Sequence, residues 1–281
     1  MSSSKFNYIE SVAFSDVGLI RTCNQDSVGC LQDVGCFFVS DGMGGGNAGE
    51  IASQLVDESV SDRISGSGDD CPGNRKYIIQ QALHYANNCI QQYAQQHNYR
   101  QMGATLALLL LDSWDARQAL ICHIGDSRIY RLRNNELNLL TSDHTIGADL
   151  SAKTSQNKFT DHRNCAISHI LTRAVGTSAN IIPEWRLIDI CPGDILLICS
   201  DGVSTMIPDR VIYENLHRDL PLHEISSSLS DAVRQAGASD NYSFVICRAA
   251  ASLPEKEHHT SEDEEENNYL LKISEERIDY V

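Results

Sequence analysis

No stretch of this 281-residue chain approaches the run of about 18 apolar residues that a membrane-spanning helix needs. The polar opening MSSSKFNYIE lacks the apolar segment of a signal peptide, so a cytoplasmic location is the expectation. No CxxC pair occurs among the ten cysteines, which argues against a zinc ribbon or a thioredoxin-like redox motif. Cys36, Cys122, Cys199 and Cys247 sit inside apolar runs and read as small buried hydrophobes rather than disulfide partners. Basic residues are scarce, 22 against 38 acids for a net charge of −16, which excludes nucleic acid and anionic membrane as principal partners. The acids are unevenly spread: positions 251–281 hold ten of them against three bases. That tail is a composition break, expected to be disordered, with a short helix in LLKISEERI available to a partner. Residues 1–7 are read the same way, leaving 8–250 as the folded body, long enough for a sizeable core.

What the chain does contain is centred on FFVSDGMGGGNAGEIAS, Phe37 to Ser53. Phe37–Val39 is a short apolar run with strand propensity that stops at Asp41; four glycines follow within five positions. Ile51, Ala52, Leu55 and Val56 then recur at helical spacing. The reading is strand, carboxylate, flexible turn, helix. Such a turn can hold a cation between a carboxylate and a bare carbonyl, or be an ordinary connector with a solvated acid.

Further along, a helix over Ala48 to Ile64, a loop over 65–74 and a second helix over Arg75 to His97 are expected. The second helix places Ile79, Leu83, Ala86 and Ile90 on one face and leaves His84 and His97 as surface residues. MGATLALLLLD reads as one continuous buried strand. Two strands flank Gly125–Asp126–Ser127–Arg128, and a third follows the Asn134–Asn135 turn. Thr145 to Cys165 has no periodicity and reads as a long surface loop with a short helix, the kind that serves as a lid. His144 reads as a structural hydrogen-bonding group, with a proton carrier as the alternative. The strands EWRLIDI and DILLICSDG, helices near Asp209–His217 and Leu222–Gln235, and a last strand after Asp240–Asn241 complete the body.

Five acids thus share one local setting, at turns abutting apolar strands: Asp26, Asp41, Asp126, Asp201 and Asp240. Two SDG turns 160 positions apart suggest two sheets presenting carboxylates to one place. Carboxylates so grouped repel unless cations neutralise them. With no thiolate or histidine cluster among them, the preferred ions are Mg²⁺ or Mn²⁺, and paired hard ions bridged by water hydrolyse phosphate esters. Beside such a site Arg21 becomes a candidate ligand for two phosphate oxygens.

The motifs GLIRTCNQD, VSDGMGGGNAGE, MGATL, HIGDSRIYRL, LTSDHT, LTRAVG, GDILLICSDGV and SDNYSFVI, in this order between Tyr8 and Arg248, resemble the metal-dependent PPM-type (protein phosphatase 2C-like) protein phosphatases, in their compact bacterial form. The resemblance implies an α+β fold: a four-layer α/β/β/α sandwich with two central antiparallel sheets flanked by helices. The residue pattern alone implies only many strands and about four long helices. The resemblance also implies a two-metal centre, with Asp41 bridging both ions, the Gly42 carbonyl on the first, and Asp201 and Asp240 on the second. Asp26 would touch that centre directly or through water, and Asp126 with Asp201 would hold a third, weaker ion. Arg21 matches the phosphate-holding arginine, and Thr145 to Cys165 the variable flap beside the site. The implied reaction is hydrolysis of phosphoserine or phosphothreonine in proteins, opposing a Ser/Thr kinase, by a monomeric enzyme. A phosphoprotein-binding pseudophosphatase is the alternative, and a small phosphate ester as substrate remains open. Met43 stands where eukaryotic relatives carry histidine, which leaves a metal-bound water as the expected donor to the departing oxygen. Ala104, Gly46 and Ser239 depart from the common threonine, histidine and arginine without removing a ligand.

Overall fold

A computed structural model of the chain describes residues 5–67, 71–153, 169–256, 260 and 267. Most of the expected flap, His162, Cys165, residues 1–4 and most of the acidic tail lie outside the described residues; Phe6, within the segment expected to be disordered, is instead buried in the core between the sheets because its ring packs with the apolar residues there.

Among the described residues, eleven strands form two sheets in which every pairing is antiparallel. One sheet runs β1 (Ile9–Asp16), β11 (Tyr242–Ala249), β10 (Ile195–Cys199), β7 (Arg128–Arg133) and β8 (Glu136–Leu139) from edge to edge. The other runs β2 (Asp26–Leu31), β3 (Cys36–Gly44), β5 (Leu106–Leu111), β6 (Gln118–Ile124) and β9 (Glu184–Asp189), with β4 (Met102–Ala104) paired to the far end of β3. Helices α1 (Ala48–Gly66) and α2 (Pro72–His97) cover the second sheet. Helices α5 (Asp209–Leu216) and α6 (Leu222–Gln235) cover the first; α3 (Ile146–Lys153) and the one-turn α4 (Asp201–Ser204) lie in connections.

The layering follows from period-two alternation in strands that are buried on both faces. In β3, Phe37 and Val39 enter the core between the sheets with Leu109, Ile121, Leu196 and Val245, while Cys36 and Phe38 pack under α1 and α2. In β10, Leu196 and Ile198 face the other sheet, while Leu197 and Cys199 face the outer helices. Neither face meets water, so both strands read as unbroken apolar runs. The result is the expected four-layer α/β/β/α sandwich. Phe38 is fully buried, its ring lying across Gly29 on the neighbouring strand, where a Cβ would stand 2.1 Å from it. Replacing Phe38 with alanine is expected to lower the unfolding free energy by about 3–5 kcal/mol, read from urea denaturation.

Several expectations are corrected in detail. The second helix begins at Pro72, three residues early, because proline at the first helical position lacks only an N–H that has no helical partner there. MGATLALLLLD is two strands broken at Thr105, which turns its amide to the Asp41 carbonyl at 2.8 Å. The Asn134–Asn135 turn is as expected, with both residues at positive φ, 51° and 64°, the tight hairpin geometry. Cys36, Cys122, Cys199 and Cys247 are fully buried and unpaired, and burial pushes the Cys36 and Cys199 thiols up to about 12. His84 and His97 are exposed on α2, as expected.

Candidate active site

The strand β3 does not stop at Asp41. It continues through Gly42, Met43 and Gly44, which pair with Ala104, Gly103 and Met102 of β4. The glycine run signals a turn, yet Gly42 serves close approach: a Cβ on it would stand 1.9 Å from the Gly49 carbonyl at the start of α1. Gly202 does the same in the second SDG segment, where a Cβ would meet the Asn241 carbonyl at 1.9 Å. Both glycines let a helix start press against a strand end beside an aspartate.

Asp41 on β3 lies directly opposite Asp26 on β2 in the antiparallel register, so the two carboxylates share a face. Asp201 opens α4 at the end of β10, and its carboxyl and that of Asp41 lie within hydrogen-bonding reach of each other. Asp240 sits just before β11, accepting from its neighbour's amide at Oδ1 (2.8 Å) and from Arg21 at Oδ2 (2.8 Å). Arg21 itself is half exposed. A cavity of about 1140 Å³ is lined by Arg21, Asp41, Gly42, Asp126, Asp201 and Asp240, six of the seven residues expected at the site. Asp26 lies behind this lining. Its Oδ2 accepts from Ser200 at 2.8 Å, while Oδ1 is buried without a hydrogen-bond partner.

Electrostatics mark the cluster as unfinished. Burial, then the charge of Asp26, drives the Asp41 carboxyl well above the usual carboxylate range. Burial raises Asp201 likewise, and the Asp240 charge adds to it. Burial and the Asp201 charge push Asp126 up to about 7, and burial pushes Asp26 up to about 6. Grouped carboxylates so reluctant to ionise, one with an orphaned buried oxygen, suit hard divalent cations, which would remove the repulsion and complete the coordination. The donor set is all oxygen. It fits Mg²⁺ or Mn²⁺ rather than a thiophilic metal.

Three supporting residues escaped the sequence reading. Thr105, at the break between β4 and β5, accepts from the Asp41 amide (2.9 Å) and bonds the Ser127 hydroxyl (2.6 Å), tying the Asp41 strand to the Asp126 turn. Ser200 positions Asp26 and takes the Ser243 amide at 3.0 Å. Asn241 accepts from the Gln25 amide and donates to the Val17 and Cys23 carbonyls, each at 2.9 Å, stapling the loop that carries Arg21 to the start of β11. Thr105 lies within MGATL, Ser200 within SDG and Asn241 beside a named acid; their roles rest on partners distant in sequence. Asn241→Ala is expected to cost about 2–3 kcal/mol in urea unfolding, since three backbone groups lose their partner at once.

A separate group, His123, His144 and Glu184, brings three potential ligand atoms within 4.8 Å of one another. His144 Nδ1 accepts from the Gly125 amide at 3.1 Å, so its Nε2 keeps the proton and points it at Glu184 Oε2, 3.4 Å away. His123 Nε2 donates to the Ser127 carbonyl at 2.9 Å. The two rings brace the Gly125–Ser127 turn that presents Asp126, and His144 is the structural residue expected. With its proton on Nε2, His144 is in the wrong tautomer for a ligand there. His169, from the polar stretch before β9, lines the acidic cavity instead.

A model of the protein phosphatase 2C family matches residues 21–239. The protein phosphatase PhpP of Streptococcus pneumoniae is 32% identical over 237 residues, covering 83% of this chain and 94% of its own. The serine/threonine phosphatase PstP of Mycobacterium tuberculosis superposes with a TM-score of 0.76 at 29% identity, covering 86% of this chain and 99% of that one. A PstP catalytic domain in complex with two manganese ions superposes at 0.73, again with 29% identity, over 86% of this chain and 98% of that one. Coverage by the family model, together with a relative above 30% identity along most of both chains, places this chain in the protein phosphatase 2C family, as a metal-dependent serine/threonine protein phosphatase.

Proposed function

We propose that the carboxylate cavity is the reaction centre, with Asp41 shared between two divalent cations, the Gly42 carbonyl on the first, and Asp201 and Asp240 on the second. Asp126 with Asp201 would form a third, weaker site, and Asp26 would support the centre from beside Asp41, its cross-strand partner. The observation that carries this reading is the convergence of Asp41, Asp126, Asp201 and Asp240 from separate strand ends onto one cavity that also holds Arg21. What bound Mg²⁺ or Mn²⁺ supplies there is charge neutralisation and a lowered pKa for water.

The chain's own groups do the rest. Arg21, at present paired with Asp240, has a planar fork suited to two non-bridging phosphate oxygens. Its exposure leaves it free to exchange one anion for the other. Asn241 fixes the loop from which it reaches, so the phosphorus is presented at a set place over the acids. The buried walls behind Asp26 and Asp41 keep bulk water from screening these charges. The departing seryl or threonyl oxygen takes a proton from water; His169 lines the same cavity.

The catalytic unit spans 8–250: β1 and β11, at its two ends, are neighbours in one sheet. Substrates are phosphoproteins, and we take the enzyme to act as a monomer against a Ser/Thr kinase in the cytoplasm. Among the described residues no helix is long and apolar enough to cross a membrane. Turnover is favoured over phosphoprotein binding alone because every acid such a pseudophosphatase would have lost is in place.

The test is release of phosphate from phosphoserine and phosphothreonine peptides with EDTA, Ca²⁺, Mg²⁺ or Mn²⁺ added. Turnover with Mg²⁺ or Mn²⁺ alone is expected, and a folded protein inert with every ion would defeat the reading. Arg21→Ala should lower kcat/KM by about 10- to 100-fold, mostly through KM, the worth of a charged hydrogen-bonding pair.

A further inference from the structure

The cavity, about 1140 Å³, is larger than a phosphoserine needs, and its walls extend beyond the acids. It runs along β3 toward the C-terminal end of α2, where its walls are Gln95, Tyr99, Arg100 and Gln101. Arg21 and Arg100 are the two arginines that line it among the described residues. Several arginines elsewhere are paired with carboxylates: Arg128 with Asp143, Arg133 with Asp194, Arg210 with Glu214, Arg234 with Asp16 and Arg248 with Glu10. Arg100 is exposed and has no ion pair among the described residues.

The segment that carries it is built rather than loose. Helix α2 ends on Asn98 in the left-handed conformation (φ 58°), and the Tyr99 amide closes back on the Ala94 carbonyl at 2.9 Å. Tyr93, His97 and Tyr99 stack in parallel, with Tyr93 and His97 centroids 4.0 Å apart. Two residues beyond Arg100, Met102 enters β4 opposite Gly44. The chain around Arg100 is therefore pinned to a helix cap on one side and to the catalytic strand on the other.

The strand also serves as a ruler. Asp41 is three residues from Gly44, about 10 Å along the strand at about 3.3 Å per extended residue, and Arg100 lies in a bend two residues beyond Gly44's partner, so its backbone stands up to about 17 Å from the catalytic acids. At such a separation salt screens much of the attraction between the acids and an exposed guanidinium. That separation is also the span of about three to five residues of an extended peptide.

We propose that this limb of the cavity is a substrate subsite in which Arg100 takes an anionic side chain about three to five residues from the phosphorylated one. The inference rests on the phosphatase reading above and names the substrate class: phosphopeptides with an acidic residue, or a second phosphoresidue, at that distance. Both anions present the oxygens a guanidinium fork pairs with, so the chemistry is shared and the source is for experiment to divide. The amide side chains of Gln95 and Gln101 offer donors and acceptors to the intervening backbone.

The experiment is a scan with the full-length protein and Mn²⁺. Phosphothreonine peptides carry one glutamate, moved from five residues before to five after the phosphorylated position, each compared with its alanine twin. A second set replaces the glutamate with phosphoserine blocked from turnover as a phosphonate. The wild-type kcat/KM ratio of glutamate to alanine peptide is expected to peak at about fivefold at an offset of three to five, the equivalent of about 1 kcal/mol. Arg100→Gln should bring that ratio to one, and Arg100→Glu should invert it. A larger ratio for the phosphonate set assigns the subsite to doubly phosphorylated substrates, and an equal or smaller one to acidic sequences. A flat scan with wild-type protein that still turns over the alanine peptides overturns the subsite alone. Absence of turnover on every peptide strikes the phosphatase reading instead. A peak that persists unchanged in Arg100→Gln also overturns the proposal.

Discussion

Asp41→Asn and Asp201→Asn are each expected to lose turnover by about 10³-fold or more, because several kcal/mol of transition-state stabilisation depend on the cations these carboxylates would hold. Asparagine is isosteric with aspartate and keeps one ligand oxygen, but it lacks the charge that makes a hard cation bind. The same substitutions should do the opposite to the metal-free protein. Asp41 faces Asp26 across the strands and Asp201 within hydrogen-bonding reach, Asp26 buried and the other two half-buried. Removing one charge relieves repulsion that Arg21 and Ser200 offset only in part, so in EDTA at neutral pH each variant should melt above wild type. With Mn²⁺ in excess the order reverses, since occupancy at a hundred times Kd adds about 2.7 kcal/mol to a protein that binds and nothing to one that does not. Calorimetry with and without Mn²⁺ separates these effects from simple misfolding. Wild-type activity in either variant would remove that residue from the reaction centre; lower melting in both conditions would make it structural.

The elements legible in advance are those whose neighbours in sequence are also their neighbours in the fold. In β10 and β11 an apolar run is bounded by a turn, and the acid at the boundary, Asp201 or Asp240, falls at the strand end on the cavity. The misread elements are set by partners far along the chain. Glycines at 42 and 44 signal a turn, but a strand passes through them because α1 presses on Gly42 and β4 pairs beyond it. The run from Met102 to Leu111 has no internal punctuation, so the break at Thr105 is invisible until its hydroxyl is seen bridging the Asp41 amide to Ser127. Asn241 looks like half of an ordinary Asp-Asn turn, and its work is done on Gln25, 216 positions away. Local pattern located the acids; the side chains that hold them in register needed the fold.

The dependence of stability on pH should change sign with metal. In the metal-free protein the Asp26 and Asp126 carboxyls lie near 6 and 7, with Asp41 and Asp201 also raised, against 3.8 for an unperturbed aspartate. Between about pH 4 and 7 the folded state therefore holds more protons than the unfolded one, and stability falls as pH rises. The contribution is fully present below the unfolded value and is lost as pH climbs through 6 and 7. A tenfold change in a carboxyl's proton affinity on folding is worth about 1.4 kcal/mol, so the cluster puts several kcal/mol at stake, a fall in Tm on the order of 10 °C for a chain of this size. With Mn²⁺ saturating, the bound form requires the ionised carboxylates, so protons compete with the cation and Tm should climb over the same window. Melting curves at half-unit steps from pH 4.5 to 8, in EDTA and in Mn²⁺, should diverge with opposite slopes. Asp126→Asn, which deletes the group near 7, should flatten the upper half of the EDTA curve. Parallel curves would mean that these carboxylates are already neutralised by groups of the protein itself, and the site would then have no use for a second cation.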